Sequence, residues 1–144
     1  MVKTQRREAR ILAVQALFQL DAQGEGFLEQ VAGFLGETGR GQDVIDHADG
    51  LARGAWGVRA RIDELIGQAS EHWAVDRITP VDRSVLRLAV YEMMAPGGPP
   101  PAVAIDEAIE LAKQFGEADS PQFVNGVLDA VRRWLADAGE PTND

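Results

Sequence analysis

The sequence feature that most constrains the fold is the spacing of apolar residues between positions 103 and 135, which repeats with the period of an α-helix. Ile105, Ala108, Ile109 and Ala112 recur at intervals of three and four residues, so they share one face of a helix. A second stripe of the same kind consists of Val124, Val127, Leu128, Val131 and Leu135. The segment from Val103 to Val131 is therefore predicted to be a pair of amphipathic helices.

A short polar hinge separates the two stripes. Gly116 follows the first stripe, and a glycine in the left-handed conformation commonly ends a helix at such a position. Ser120 and Pro121 precede the second stripe; serine is a favoured N-cap, and proline is favoured at the first helical position. We therefore expect one helix to end at Gly116 and the next to begin after a serine cap.

Helical spacing extends through the rest of the chain, and no segment alternates apolar and polar residues as a half-buried strand does. Further helices are expected over about residues 6–21, 27–35 and 81–94. The stripe from Val44 to Trp73 keeps its phase across Gly54 and Gly57, which predicts one helix of roughly 30 residues with a bend rather than a break. The predicted class is all-α, with six helices, or seven if one of them splits.

Length and composition narrow the class of protein. A chain of 144 residues has the length of one ordinary domain, and its polar end, residues 136–144, is expected to be a frayed tail. There is no cysteine, which excludes disulfides, thiolate metal sites and cysteine nucleophiles. No apolar run is long enough for a membrane span, and the charged start is unlike a signal peptide. We therefore expect a cytoplasmic location.

The distribution of charge is uneven. The net charge of −9 argues against broad binding to nucleic acid, because an acidic surface repels phosphates. Basic residues are nevertheless concentrated at the amino terminus, where Lys3, Arg6, Arg7 and Arg10 are accompanied by Glu8 as the only acidic residue. This asymmetry indicates a local contact with nucleic acid or another anion, although it also occurs in proteins with no such role.

Two phenylalanines lie away from the main apolar stripes. Phe123 is about 100° from the stripe of its helix, so it either widens the core contact or is displayed. Phe18 shares with Arg7 the face opposite the main stripe of the first helix. That helix is either buried on both sides or displays these two side chains, and the sequence leaves both alternatives open.

Candidates for catalysis are few. His47 and His72 are far apart in the sequence and have no metal-ligand spacing with each other or with a glutamate. Asp106, Glu107 and Glu110 lie opposite the apolar stripe of their helix and are expected to form a solvated acidic face. We therefore expect no catalytic residue, no metal site and no cofactor. Basic residues near a helix start, with aromatic residues nearby, instead suit single-stranded RNA.

Three segments carry a family resemblance: RREARILAVQALFQ from Arg6 to Gln19, VDRSVLRLAVYEM from Val81 to Met93, and VAIDEAIELAKQFGEADSPQFVNGVLD from Val103 to Asp129. They resemble the NusB family of transcription antitermination factors, in the order expected for that family and over most of the chain. The third segment is the most specific. The resemblance implies one RNA-binding domain over residues 1–144, built as two small helical bundles that share a long central helix.

The resemblance also implies partners and a binding surface. NusB-like proteins pair with the small-subunit ribosomal protein that acts as NusE, and the pair binds boxA RNA and helps RNA polymerase to read through terminators in ribosomal RNA operons. The RNA surface carried over by motif consists of Arg6, Arg7, Arg10, Gln15, Phe18, Asp119, Ser120 and Phe123. Arg83 and Arg87 are expected to border either the RNA or the protein partner. Some relatives self-associate, which leaves a homodimer open.

Two rival functions remain at this point. One is a helical protein-interaction scaffold that does not bind RNA. The other is a targeting domain of an RNA methyltransferase, which the lack of a glycine-rich cofactor strand before Asp144 disfavours.

Overall fold

The regular structure of the protein is helical throughout the part of the chain that the structure describes. A computed structural model describes residues 1–70 and 73–143. Its α-helices are α1 (Lys3–Gln23), α2 (Val31–Gly36), α3 (Gln42–Gly57), α4 (Arg59–Ala69), α5 (Pro80–Met94), α6 (Pro101–Phe115) and α7 (Ser120–Asp137). Two short 3-10 segments, Glu25–Gln30 and Val75–Arg77, precede α2 and α5. The all-α class and the count of seven α-helices are confirmed, and no described helix is long and apolar enough to cross a membrane.

α5 lies at the centre of the fold. It is buried over most of its circumference because apolar residues occur on nearly every side of it: Val85, Leu86, Leu88, Ala89, Val90 and Met93. α1 and α3 pack against α5, and so do α4, α6 and α7. Since α1, α2 and α3 contact one another, while α7 contacts α4 and α6, two small bundles share α5.

The expected helix of roughly 30 residues is two helices in the structure. α3 ends at Gly57, Val58 has φ −113° and ψ 21°, and α4 begins at Arg59. α3 packs chiefly against α1, whereas α4 packs against α7, so the two helices follow different neighbours. The stripe kept its phase because a single residue separates them. The prediction of one long helix is therefore wrong, and the helix that the two bundles share is α5.

Trp73 also differs from its predicted place in the buried stripe. α4 ends at Ala69, so Trp73 does not continue the stripe and is 53% exposed. The Ser70 hydroxyl hydrogen-bonds to the carbonyl oxygens of Ile66 at 2.7 Å and Trp73 at 2.9 Å. The helix therefore ends before the tryptophan, and the ring lies at the surface.

The carboxyl-terminal tail contacts the rest of the protein. α7 continues to Asp137, two residues beyond its last apolar stripe position. The backbone N–H of Asn143 donates to the Met93 carbonyl at 3.1 Å, and its side chain donates to the Glu92 carbonyl at 2.6 Å. Where fraying was expected from residue 136, the structure places the tail across the carboxyl end of α5.

The turn between α6 and α7 depends on close packing. Gly116 has φ −91° and ψ −169°, an extended conformation rather than the left-handed one that the sequence favours. A β-carbon on Gly116 would lie 2.6 Å from Ser120 Oγ and 2.9 Å from the Ala112 carbonyl oxygen. Ser120 is the first residue of α7, and its hydroxyl accepts from the Glu117 N–H at 2.9 Å. The N-cap is Asp119, so the predicted role of Ser120 as N-cap is wrong.

Gly116→Ala is expected to destabilise the protein by about 1–3 kcal/mol, the usual cost of forcing an extra carbon into a packed site. The reason is that the new β-carbon would meet Ser120 and a backbone carbonyl. Equilibrium unfolding in urea measures the loss. Gly50→Ala is the matched control, because Gly50 is exposed in α3 and a β-carbon there meets no atom within 4 Å. An equal loss in the control would contradict the packing explanation.

Candidate nucleic-acid interface

The amino-terminal arginines divide into exposed and buried residues. Arg6 and Arg7 are exposed on α1, so their guanidinium groups are accessible to an anion. Arg10, one turn later, is 5% exposed, and its guanidinium donates to both carboxylate oxygens of Glu92 at 2.9–3.2 Å. Arg10 therefore ties α1 to α5, and its charge is neutralised inside the fold.

A cleft between α1 and α6 lies beside Arg7. The guanidinium of Arg7 is 3.2 Å from the carboxylate of Glu107, and that of Arg10 is 3.9 Å from the same group. Asp106 and Glu110 are exposed, as expected for a solvated acidic face. The expectation is wrong for Glu107, which is buried beside these two arginines. The cleft has a volume of about 280 Å³ and is lined by Arg7, Arg10, Ile11, Glu107, Glu110, Leu111, Lys113 and Gln114.

The face of α1 opposite its main apolar stripe is covered by packing in its middle and is accessible to solvent at its ends. Val14 is buried and Ile11 is half-buried, so packing reaches the centre of this face. Phe18 is 37% exposed, and Gln15 is half-buried one turn before it. Both alternatives from the sequence therefore apply: the helix is buried on two sides, and it still displays Arg7 and part of Phe18.

Phe123 lines a pocket at the start of α7. Its ring is half-buried and packs against the core, so it widens the core contact as well as facing the pocket. The pocket has a volume of about 210 Å³ and lies between α7 and the connection from α4 to α5. It is lined by Trp73, Arg77, Ile78, Thr79, Asp82, Glu117, Asp119, Ser120 and Phe123.

Carboxylates outnumber cations in the lining of this pocket. Asp82, Glu117 and Asp119 line it together with Arg77. Asp82 is 7% exposed, and its Oδ1 has no hydrogen-bond partner among the described residues. A buried acceptor that lacks a donor is costly. The pocket is therefore suited to a group that brings N–H or O–H donors and is unsuited to a phosphate.

The two hinge residues of the predicted site differ in accessibility. Asp119 is exposed at the start of α7. Ser120 is 2% exposed, and its hydroxyl is engaged by the Glu117 N–H. Asp119 is therefore accessible to a ligand, whereas Ser120 shapes the turn that carries it.

Arg83 connects the wall of the Phe123 pocket to α1. Its guanidinium donates to the carboxylate of Asp21 at 3.0 Å and to the carbonyl oxygens of Val75 and Ile78 at 3.1 and 2.6 Å. Ile78 lines the Phe123 pocket. Arg83 thus fixes the connection between α4 and α5, and with it the pocket wall, relative to the end of α1.

Arg87 is more deeply placed. It is 7% exposed and donates to both oxygens of Asp63 on α4, at 2.9 and 2.8 Å, and to Asp21 at 2.7 Å. Its guanidinium also lies 5.8 Å from the centroid of the Trp56 ring. Arg87 therefore links α1, α4 and α5 inside the protein.

The charges of this cluster shift one another's ionisation. Burial by itself raises the pKa of Asp21, but hydrogen bonds from Arg83 and Arg87, with their positive charges, outweigh it and hold that pKa below its ordinary value. Burial lowers the pKa of Arg87, but hydrogen bonds to Asp63 and Asp21 and their negative charges raise it above its ordinary value. Both shifts favour the charged forms of Asp21 and Arg87.

Asp21→Asn is expected to lower the free energy of unfolding at neutral pH by about 1–3 kcal/mol, because two arginines lose a charged acceptor. A carboxyl whose pKa is lowered on folding contributes stability above its unfolded pKa, about 3.9, and that stability is lost as the pH falls through the folded value. The variant should therefore lose less stability than the wild type below about pH 4. Urea unfolding at a series of pH values measures both effects.

Glu64→Gln is the control for this prediction, because Glu64 forms an exposed pair with Arg61. It is expected to change stability by less than about 1 kcal/mol. Identical acid sensitivity in the wild type and Asp21→Asn would contradict the role assigned to Asp21.

Sequence reasoning missed most of the pocket lining. Trp73 was predicted to lie in a buried helical stripe, Arg77 and Thr79 belong to the connection that precedes α5, and Asp82 belongs to the first turn of α5. The proline at position 80 indicated where α5 begins, and it is the first residue of that helix. No local signal indicated that this connection faces Phe123, because that contact depends on how α5 and α7 pack.

His47 does not belong to a metal site in the described part of the chain. No group of three or more His, Cys, Asp or Glu side chains there is arranged to hold an ion. His47 is half-buried; burial lowers its pKa, the charge of Glu92 raises it, and those of Arg10 and Arg6 lower it further. His72 lies outside the described residues.

Comparisons with known proteins agree with this architecture. The model of the NusB family matches residues 7–133. The transcription antitermination protein NusB of Symbiobacterium thermophilum is 43% identical over 141 residues, with 92% of each chain covered. The protein of the same name from Solibacter usitatus is 43% identical over 142 residues, with 94% of each chain covered.

Solved structures show the same fold. NusB of T. maritima has a TM-score of 0.80 and 38% identity, covering 89% of this chain and 90% of that one. A crystal structure of the antitermination factors NusB and NusE in complex with double-stranded RNA contains a chain with a TM-score of 0.80 and 28% identity. That match covers 92% of this chain and 99% of the other. On the family model and these relatives, the chain belongs to the NusB family.

Proposed function

We propose that this chain is a transcription antitermination factor that binds boxA-type single-stranded RNA together with the ribosomal protein that acts as NusE. The complex helps RNA polymerase to read through terminators in ribosomal RNA operons. The chain acts by binding, without catalysis or a cofactor, in the cytoplasm. Its family membership and its similarity to the NusB chain of a NusB–NusE complex with RNA support the proposal.

The observation that carries the proposal is the pocket at Phe123. Two aromatic rings, Phe123 and Trp73, line it beside the buried carboxylate of Asp82. Unpaired bases stack on aromatic side chains and offer N–H donors at their edges, and these are the two features that the pocket can use. The carboxylates keep phosphates outside it, so bases rather than the backbone of the RNA enter.

The residues carried over by family motif have two roles in this proposal. The accessible ones contact RNA: Arg6, Arg7, Gln15, Phe18, Asp119 and Phe123. The others hold the surface in shape through buried hydrogen bonds and ion pairs: Arg10, Ser120, Arg83 and Arg87. The proposal therefore assigns the basic charge at the RNA to the start of α1 and the recognition of bases to the hinge.

The protein partner is needed because this chain is acidic. Its net charge is −9, and the pocket itself carries more carboxylates than cations. Such a surface repels a phosphate backbone, so Arg6 and Arg7 alone hold RNA only weakly. A basic ribosomal protein beside this surface supplies the missing positive charge.

A titration of RNA by fluorescence anisotropy tests the proposal. A boxA-type RNA and a scrambled RNA of the same composition are each measured with and without the NusE-type protein. We expect tight binding of the boxA-type RNA alone, and only with the partner present. Equal affinity for the two RNAs would sink the specific-RNA proposal, and partner binding without any RNA binding would favour a protein-interaction scaffold.

A matched pair of arginine variants tests the division of roles on α1. Arg7→Ala is expected to destabilise the fold less than Arg10→Ala, because the Arg7 side chain is half-exposed and the buried Glu107 carboxylate keeps Arg10 as a second cation 3.9 Å away. It should weaken RNA binding and reduce the slope of log affinity against log salt by about 0.7, the value for one phosphate contact on a single strand.

Arg10→Ala is expected to destabilise the fold by about 3–5 kcal/mol, because Glu92 is left charged and buried without its partner. Urea unfolding and the salt series measure the two effects separately. Full stability in Arg10→Ala, or an unchanged salt slope in Arg7→Ala, would contradict the assigned roles.

A further inference from the structure

The outward face of α7 continues beyond Phe123. Taking 100° per residue, Phe123, Gly126, Ala130 and Trp134 lie within about 80° of arc. Trp134 is about 16 Å along the helix axis from Phe123 and is 48% exposed. The buried stripe of α7 uses other positions, so packing does not require a tryptophan here. The face therefore carries an aromatic ring at each end and small residues between them.

Gly126 has no structural reason to be glycine. It lies in the interior of α7, is exposed, and a β-carbon built on it meets no atom within 4 Å. Glycine destabilises a helix interior relative to alanine. It is commonly found where another backbone or a ligand approaches closely. Gly126 therefore leaves room on this face for the close approach of another molecule.

The surroundings of Trp134 connect this face to the Phe123 pocket. A pocket of about 250 Å³ lies between the end of α4 and α7 and is lined by Gln68, Ala69, Ala130, Arg133, Trp134 and Asp137. The backbone carbonyl of Trp73, which lines the Phe123 pocket, accepts from the hydroxyl of Ser70, the residue that follows Ala69. Ser70 therefore links the lining of one pocket to that of the other.

We propose that single-stranded RNA continues along α7 from Phe123 to Trp134, with bases stacked on Trp134 and the strand closest to the helix at Gly126. This inference rests on the proposed function, because it extends the same RNA site. Aromatic faces separated by small residues suit stacked bases. The exposed guanidinium of Arg133 lies beside Trp134 and is placed to meet a phosphate.

The test compares boxA-type RNA with the same RNA extended by unpaired adenosines at its 5′ or its 3′ end, always with the NusE-type protein present. One of the two extensions should raise the affinity of the wild type. Trp134→Ala should weaken binding of that extended RNA by about 5- to 150-fold, the range for one base stacked on an aromatic ring. It should leave the affinity for the unextended RNA unchanged.

Two matched pairs of variants strengthen the test. Arg133→Ala should reduce the salt slope for the extended RNA by about 0.7, whereas Arg132→Ala should not, since Arg132 points away from this face although both arginines pair with Asp129. Gly126→Ala should raise the midpoint of thermal unfolding and lower the affinity for the extended RNA. Gly33→Ala, at another exposed helical glycine with open space around it, should not lower that affinity.

The outcomes separate this inference from the function on which it rests. If the unextended boxA-type RNA does not bind, the proposed function fails and the inference fails with it. If that RNA binds but neither extension adds affinity, or if Trp134→Ala has no effect on the extended RNA, the inference alone is overturned. It is also overturned if Trp134→Ala weakens binding of the NusE-type protein without RNA, or changes the molecular mass in solution, since the face would then bind a protein.

Discussion

Placing α5 at the centre of two bundles requires that its polar side chains find partners inside the protein, because an unpaired buried charge is costly. Glu92 is paired with Arg10 of α1, and Arg87 is paired with Asp63 of α4 and Asp21 of α1. These pairs are directional, whereas the apolar contacts around them are not. The ion pairs therefore fix the angles and register at which α1 and α4 meet α5.

The same network determines where the candidate site lies. Asp21 receives hydrogen bonds from Arg83 and Arg87, and Arg83 also binds the carbonyl oxygens of the connection that forms one wall of the Phe123 pocket. One guanidinium therefore joins the end of α1 to the pocket wall. The family motif places Arg83 and Arg87 at the border of the site. Because their N–H donors already bind partners within the fold, they support the site by holding its helices in place.

Sequence periodicity was sufficient for the class and for the helices of the α6–α7 unit, because a stripe at helical spacing depends only on nearby residues. Periodicity was insufficient wherever the role of a side chain depends on a partner that is far away in the sequence. Arg10 and Glu92 are 82 positions apart, so Arg10 looked like one more residue of an exposed basic start. Glu107 looked solvated for the same reason, since its partners belong to α1.

At Trp73 and Gly116, local sequence patterns predicted a definite structure, and packing in the folded chain produced a different one. The stripe of α4 predicted that Trp73 is buried, but the helix ends before the ring is reached. Gly116 was expected for its left-handed conformation, whereas it is required for the approach of Ser120. At Gly116 the residue type correctly indicated an exceptional position, and only the neighbours in the folded chain explain why it is exceptional.

The burial of Arg10 bears directly on how an acidic chain can recognise RNA. With Arg10 neutralised by Glu92, the exposed cations at the amino terminus are Lys3, Arg6 and Arg7, and Arg7 also pairs with Glu107. If all three meet phosphates, the slope of log affinity against log salt contributed by this chain is only about −2. Such a surface holds RNA weakly by charge, and most of its discrimination must come from base edges and ring faces at the hinge. Because those contacts carry the sequence information, a partner that supplies charge increases affinity without determining which RNA is chosen.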